Sequence, residues 1–261
     1  MEINENKDRI KSVDKALDIL EFLSKNEQEI GISEISKKLN MGLSTVHRIL
    51  FTLKSRGYVI QNQKTIKYRL GIKLFELGCK VQNSKNLIKI VKPYLRELSR
   101  ITNETVNLAI LEGKDVVYLD TIESTEALRT GIVPGTRTVA HCTALGKVIL
   151  AHLPNGEFVQ LYRNDDNMIS LTKNSISSKD ELKKELRKAK ENGYALDREE
   201  SIEGINCVGS PILNGQGEPV AAISITGPAS RFTMDKIENA KNELIMLSKE
   251  ISNLYYNNNN Y

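Results

Sequence analysis

The stretch from Ile32 to Leu70 constrains the fold of this chain more than any other part of the sequence. Its first half predicts a helix, a break at residues 40–42 and a second helix, because apolar residues recur at helical spacing on both sides of the break. Ser44 stands where a side-chain cap is expected, and Gly57 stands where a helix ends. The second helix has a single apolar stripe, formed by Val46, Ile49, Leu50 and Leu53.

Two short strands are predicted after this helix, at residues 58–60 and 66–70, with a polar turn between them. The order of helix, short turn, helix and two-stranded wing is that of a winged helix-turn-helix. In that motif the second helix enters the major groove of DNA. The sequence therefore predicts a DNA-binding domain in its N-terminal part.

The charge pattern of the same stretch supports this prediction independently. Residues 35–75 contain no Asp or Glu in 41 positions, and they contain nine Lys or Arg. The average composition of the chain would place about five acidic residues in such an interval. A surface that meets phosphates excludes acids, because each acid repels the polyanion while each cation releases condensed counterions. A basic surface for another kind of partner is the alternative.

The candidate DNA contacts are the outward side chains of the second helix and the cations at its end and on the wing. Arg48 can bind a guanine edge with two hydrogen bonds. His47 borders the apolar stripe, so that packing and DNA contact remain equally open for it. The predicted set is Ser44, Thr45, His47, Arg48, Thr52, Lys54, Arg56, Lys64 and Lys67.

Length and charge favour two domains with different roles. The chain has 261 residues; residues 1–75 carry a net charge of +5, and the remainder carries −1. Three cysteines, Cys79, Cys142 and Cys207, form too sparse a set for a disulfide framework and indicate a reducing cytoplasm. No apolar run approaches the roughly 20 residues that cross a bilayer, so no membrane association is expected.

The rest of the chain predicts an α+β domain around a mainly antiparallel sheet. Residues 128–133 are predicted as one of its strands, and Pro93 is predicted to kink or delay the helix that holds it. Ser12 is predicted to cap the first helix, whose stripe would include Val13 and Leu17.

Four phrases identify a family resemblance: SVDKALDILEFL, STVHRIL followed by GYV, AHCTALGKVILAHLP, and INCVGSPILNGQGEPVAAISITGP. They resemble, in the same order, the motifs of the IclR family of bacterial transcriptional regulators. The resemblance implies a winged helix-turn-helix DNA-binding domain at residues 9–71, a linker helix at 72–85 and a GAF-like effector-binding domain at 86–256. It also implies a homodimer or homotetramer that binds a palindromic operator in double-stranded DNA.

Carried over from the family, the effector pocket would use Thr143, Ala144, Leu145, Asp197, Cys207, Ser224 and Thr226. Amides at the start of a helix attract an anion, and hydroxyls two positions apart on a strand face the same side. Four of these residues have a structural alternative: a solvated strand face for Ser224 and Thr226, a small buried side chain for Cys207, and a turn or ion pair for Asp197.

The sequence and the resemblance together predict a ligand-responsive regulator, a repressor rather than an activator, of a catabolic operon. Its effector is expected to be a small organic acid or sugar acid such as 2-keto-3-deoxygluconate. No cofactor and no metal site are expected, because the sequence lacks ligand spacings and nucleotide-binding loops. The rival interpretations are a thiol-dependent hydrolase using Cys142 or Cys207 and an architectural DNA binder without a ligand.

Overall fold

The computed structural model describes residues 9–78, 80–163 and 168–259. Cys79, one position of the predicted linker helix, therefore lies outside the described residues. The chain forms two compact units, which meet in sequence at Gln82 and Asn83. Each unit has its own apolar core.

The N-terminal unit has the predicted winged helix-turn-helix order. Its strands pair antiparallel, with Val59 opposite Leu70. Ile30 joins them through two backbone hydrogen bonds with Tyr68, of 2.9 and 2.8 Å. The elements are α1 (Lys11–Ser24), α2 (Ile32–Lys38), α3 (Leu43–Ser55), β1 (Val59–Gln61), β2 (Tyr68–Leu70) and α4 (Lys73–Gly78).

Two predicted helix caps of this unit are wrong. Ile10 and Gly42, not Ser12 and Ser44, occupy the N-cap positions, and neither has a side chain that could cap the helix. The helix α3 begins at Leu43, directly after Gly42 and the buried Met41, whose carbonyl accepts a hydrogen bond from Ser36 Oγ. Ser44 therefore lies in the first turn of α3, with its side chain exposed.

The predicted buried stripe of α1 is also partly wrong. Val13 and Leu17 are each 50% exposed, whereas Ile19 and Leu23 are buried. The core of the unit reaches only the C-terminal half of α1, where Ile19 and Leu23 pack with Val46 and Leu50 of α3 and with other apolar residues.

The C-terminal unit is a six-stranded antiparallel sheet covered by helices, as the sequence predicted. The spatial order of its strands is β5-β4-β3-β8-β7-β6. The elements are α5 (Gln82–Thr102), β3 (Thr105–Glu112), β4 (Asp115–Ile122), β5 (Arg137–Val139), a 3-10 turn (Ala140–Cys142), α6 (Ala144–His152), α7 (Glu157–Leu161), α8 (Lys179–Asn192), β6 (Ala195–Arg198), β7 (Ile205–Leu213), β8 (Pro219–Pro228) and α9 (Met234–Asn259).

The two faces of this sheet bury different kinds of side chain. One face carries apolar residues such as Leu108 and Ile225, which form a core with residues of α5 and α9. The opposite face packs small residues, including Ala109 and Ala222, with apolar residues of α6 and α8. Further along this second face stands a row of buried polar residues, and it is this row that positions the candidate ligand site.

Two predictions for this unit need correction. Residues 128–133 form no strand: Leu128 is 63% exposed and Gly131 has φ +64°, a left-handed conformation that interrupts an extended chain. The strand at this edge is β5 instead, which pairs with β4. Pro93 does not delay the start of α5, which begins eleven residues earlier at Gln82 and continues past Pro93, whose side chain is exposed.

Candidate functional site

The outward face of α3 presents the predicted DNA-contacting side chains. Ser44, Arg48 and Thr52 are exposed, and Thr52 Oγ1 donates a hydrogen bond of 3.0 Å to the Arg48 carbonyl. His47 is exposed as well, so its side chain is not part of the core. Thr45 is half-buried. The face is therefore polar and cationic at its centre.

The wing continues this basic surface. Lys54 Nζ at the end of α3 donates to Gln61 Oε1 of β1 at 2.8 Å, which ties the helix to the wing. Asn62 Oδ1 accepts the Lys64 amide at 2.9 Å and so shapes the turn. The side chains of Arg56, Lys64 and Lys67 are exposed.

Sequence reasoning missed two groups that border this surface. A groove of about 970 Å³ separates α1 from α3, and Lys11 and Lys15 of α1 line it together with Arg48. The spacing of four residues, which places both lysines on one face of α1, was the available signal. Glu29, just before α2, accepts hydrogen bonds from Asn62 and Thr65 of the wing turn at 2.8 and 3.0 Å.

A cavity of about 460 Å³ opens on the polar part of the sheet in the C-terminal unit. Cys207 and Thr226, two of the predicted effector-binding residues, lie in its wall. Tyr118 and Ser201 add a phenol and a hydroxyl, and residues 130–132 close one side. Burial raises the pKa of the Tyr118 phenol, with the nearby Cys207 and Asp197 as smaller causes, so Tyr118 remains a hydrogen-bond donor.

Side-chain hydrogen bonds between neighbouring strands support the wall of the cavity at Thr226. Asn107 of β3 stands opposite Ser224 of β8, and its Nδ2 lies 3.3 Å from Ser224 Oγ and 3.1 Å from Thr226 Oγ1. Thr121 Oγ1 donates to Asn107 Oδ1 at 3.2 Å. Ser224 and Thr226 are thus buried and hydrogen-bonded, and they do not lie on a solvated strand face.

Asp197 does not line the cavity but is hydrogen-bonded to Ser201, which does. Its carboxylate accepts Ser201 Oγ at 2.6 Å and the Glu200 amide at 2.7 Å. Burial nevertheless raises the pKa of Asp197, because removal from water penalises the charged form more than these hydrogen bonds favour it.

A buried ion pair that sequence reasoning missed lies next to Asp197. Lys147 of α6 is 2% exposed, and its Nζ lies 2.6 and 2.7 Å from the two carboxylate oxygens of Glu200. Burial also raises the pKa of Glu200, opposed by the charge of Lys147. A signal was present, because Lys147 is the only Lys, Arg, Asp or Glu in the sequence ALGKVILAH of α6.

The three remaining predicted residues form the start of α6 and do not line the cavity. Thr143 is the N-cap, as predicted, and its Oγ1 accepts the Gly146 amide at 2.9 Å. Ala144 packs so closely against β7 that a Cβ on Gly209 would lie 2.9 Å from the Ala144 carbonyl carbon. Leu145 belongs to the apolar core.

The two described thiols are not suited to nucleophilic chemistry. Cys142 and Cys207 are buried and free. Burial raises the pKa of both thiols, that of Cys207 well above its usual value. A nucleophilic cysteine requires the opposite shift, because the thiolate is the reactive form. Among the described residues no group of His, Cys, Asp and Glu could hold a metal ion.

Both units match models of known protein families. The family model described as "IclR helix-turn-helix domain" matches residues 12–63, and the family model described as "Bacterial transcriptional regulator IclR C-terminal" matches residues 79–253. The chain belongs to the IclR family of bacterial transcriptional regulators. The family consists of regulators and not of enzymes, and the hydrolase alternative has no support.

Individual IclR-family proteins match this chain over nearly its whole length. The HTH-type transcriptional regulator KdgR of Escherichia coli is 36% identical over 251 residues, which are 96% of this chain and 95% of that protein. The acetate operon repressor of Salmonella typhimurium is 30% identical, over 95% and 90% of the two chains. The crystal structure of the Thermotoga maritima IclR superposes with a TM-score of 0.77 at 35% identity, covering 94% and 98%.

The fold of this IclR-family chain is therefore that of a DNA-binding unit followed by a ligand-responsive regulatory unit. No helix in the described ranges is both long and apolar enough to span a membrane.

Proposed function

We propose that this chain is the repressor of a catabolic operon, which binds a palindromic operator as a homodimer or homotetramer. A small organic acid or sugar acid binds its C-terminal unit and lowers its affinity for the operator. Residues 9–71 act as the DNA-binding domain, residues 72–85, which contain α4 and the first turn of α5, as the linker, and residues 86–256 as the effector-binding domain. The relationship to the acetate operon repressor supports repression over activation.

The cavity at Cys207 and Thr226 is the observation that supports this proposal most directly. Its volume of about 460 Å³ lies within the range of small-molecule sites, which is roughly 300–1,000 Å³. An architectural DNA binder has no need for such a cavity with a buried polar wall. The hydroxyls of Ser201 and Thr226 and the phenol of Tyr118 offer neutral donors and acceptors that suit a hydroxylated ligand.

A carboxylate on that ligand is attracted by a cation in the wall of the cavity. Arg137 lines the cavity, although its Nε is also 3.4 Å from Asp115 Oδ2. The start of α6 is not part of the cavity wall, so we assign the contact with the carboxylate to Arg137. A sugar acid such as 2-keto-3-deoxygluconate combines these two chemistries, hydroxyls and a carboxylate.

Thermal unfolding of the full chain against a panel of sugar acids, keto acids and aromatic acids tests the effector. A ligand at 100 times its dissociation constant stabilises the unit that binds it by about 2.7 kcal/mol. Thr226→Val keeps the shape of the side chain and removes the hydroxyl, so that it should reduce the shift. Thr52→Val, in the other unit, is the matched control and should leave the shift unchanged. A panel without any shift would count against the cavity as the effector site.

Duplexes selected from a random library by the full chain test the DNA interface. Arg48→Ala should relax the preference among selected duplexes, because it removes a contact to a base edge. Lys64→Ala should weaken all duplexes about equally, because a phosphate contact is independent of sequence. Equal behaviour of the two variants would contradict the assignment of these roles.

A further inference from the structure

Phe51 is an aromatic side chain that the core of the DNA-binding unit does not use. It lies on α3 and is 67% exposed. The apolar cluster of the unit takes Val46 and Leu50 from this helix, with Ile49 and Leu53 against them, and leaves Phe51 out. Exposure of a phenyl ring forgoes the free energy of its burial, so Phe51 has no role in the stability of this unit that the structure accounts for.

The position of Phe51 places it on the same outward face as Arg48. At 3.6 residues per turn, the two side chains are separated by about 60° around the helix and about 4.5 Å along it. Thr52, the neighbour of Phe51, is exposed beside them. The ring therefore projects from the part of α3 that we propose enters the major groove.

The surroundings favour nucleic acid as the occupant of this face. No Asp or Glu lies between residues 35 and 75 of the sequence, and the nearby charges are the cations Lys11, Lys15 and Arg48, which line the groove that Phe51 also lines. An apolar ring within a cationic surface complements the major groove, where phosphates flank the base edges and thymine alone presents a methyl group.

We propose that Phe51 determines specificity by packing against the 5-methyl group of a thymine in the operator. The contact would lie on a base pair close to the one that Arg48 contacts, since the separation along α3 is little more than the rise of one base pair, about 3.4 Å. This inference rests on the proposed role of α3 as the recognition helix. Phe51 would then recognise a thymine, and Arg48 would recognise a guanine.

The experiment replaces thymine by deoxyuridine, which removes the methyl group and keeps every hydrogen-bonding atom. Each thymine of the selected half-site is changed in turn, in both half-sites, and duplex binding by the full chain is measured by fluorescence anisotropy. At one position of the half-site, replacement should lower the affinity of the wild-type chain. The expected loss is about fourfold for each contacted thymine, which is the equivalent of one buried methyl group. Phe51→Ala should bind the thymine and deoxyuridine duplexes equally, and Phe51→Leu should retain part of the difference.

Leu43→Ala is the matched control, because Leu43 is an exposed apolar residue of α3 that lies about 140° from Arg48 around the helix. It should keep the full difference between thymine and deoxyuridine. Circular dichroism checks that each variant is folded, and sedimentation measures its oligomeric state.

Three outcomes would overturn the inference. The first is a wild-type chain that is indifferent to deoxyuridine at every position although it selects a sequence. The second is a Phe51→Ala variant that retains the full difference. The third is a Phe51→Ala variant that weakens all duplexes equally and dissociates into smaller oligomers, which would assign Phe51 to contact with a second copy of the chain. If the wild-type chain selects no duplex, it is the proposed DNA-binding function that fails.

Discussion

Lys147 has its ammonium group removed from water and paired with the carboxylate of Glu200. Transfer of either charge into the interior costs several kcal/mol, and the pair repays this only with both members present. The two contacts of 2.6 and 2.7 Å join α6 to the segment that follows β6. That segment also contains Ser201, which lines the cavity, so the pair fixes one wall of the proposed effector site.

Lys147→Met should therefore destabilise the C-terminal unit by about 3–5 kcal/mol, because Glu200 is left buried without its partner. Lys188→Met is the matched control: Lys188 pairs with Glu185 at 2.7 Å but at an exposed site, where such pairs contribute little. Urea denaturation followed by circular dichroism measures both variants. A Lys147→Met chain as stable as the control would show that the pair contributes nothing net. Glu200→Gln added to Lys147→Met should recover part of the loss.

Asp197 makes stability depend on pH with a defined sign. Its folded-state pKa lies above the unfolded value of about 3.9, so the folded chain holds the proton more tightly. The stability that this provides is complete below the unfolded pKa and is lost as the pH rises through the folded pKa. Glu200 has the same sign.

Asp197→Asn should remove the contribution of Asp197 to this dependence. Relative to the wild type, the variant should gain stability as the pH is raised from about 4, near the unfolded pKa of the carboxyl, and the gain should level off once the pH has passed the folded pKa. Melting temperatures of the two proteins across that interval measure the difference. A difference that stays constant with pH would mean that Asp197 titrates alike in the folded and unfolded chains.

At the level of elements, the first turn of α6 is closely packed. Thr143 caps it, Gly209 of β7 lies against its first residue, and Gly146 in its first turn approaches the 3-10 turn before it. A Cβ on Gly146 would lie 2.1 Å from the Ala140 carbonyl oxygen, which is backbone and cannot rotate away. Only glycine fits at this position, for reasons of space and not of dihedral angle.

Gly146→Ala should destabilise the C-terminal unit by about 1–3 kcal/mol, the usual cost of overpacking, and should weaken effector binding by displacing the start of α6. Gly78→Ala is the control, since a Cβ there meets nothing within 4 Å. Thermal unfolding and ligand titration of both variants measure the two effects. Normal effector affinity in a destabilised Gly146→Ala chain would separate the start of α6 from the binding site.

Elements with strong local signals were predictable from the sequence. The helix α8 is an example: Ser178 caps it by accepting the Glu181 amide, Gly193 ends it with φ +74°, and Leu182 and Leu186 are buried as predicted. Residues 128–133 were predicted as a strand from their composition, but they pair with no strand in the described part of the chain; the edge strand β5, only three residues long, was missed. Lys147 and Glu200 were missed because a pair 53 residues apart in the chain leaves no periodic pattern. The two lining residues Cys207 and Thr226 came from the family resemblance and not from the residues alone.

At the level of the whole molecule, the two units carry different charges and different kinds of surface. The N-terminal residues to position 75 have a net charge of +5 and the rest of the chain −1. Association with DNA should therefore weaken steeply with salt, by a power close to 0.9 per phosphate contact. Effector binding by the nearly neutral unit should depend on salt much less. A regulator needs the two events to be coupled, and the coupling is a measurable free energy.

The coupling must be reciprocal, and this provides the strictest test of the proposed mechanism. If a sugar acid lowers operator affinity by a given factor, saturating operator must lower sugar-acid affinity by the same factor, which is about 5–150-fold for typical couplings. Isothermal titration of the full chain with 2-keto-3-deoxygluconate, or with the compound that gives the largest thermal shift, measures one side with and without the selected duplex. Anisotropy with and without the compound measures the other. Thr226→Val should lower the affinity for the compound in the titration and reduce the effect of the compound in the anisotropy assay. Without the compound, the DNA affinity of this variant should equal that of the wild type. A compound that binds equally well to the free and the DNA-bound chain cannot shift the equilibrium between them, and its binding would then be unrelated to repression.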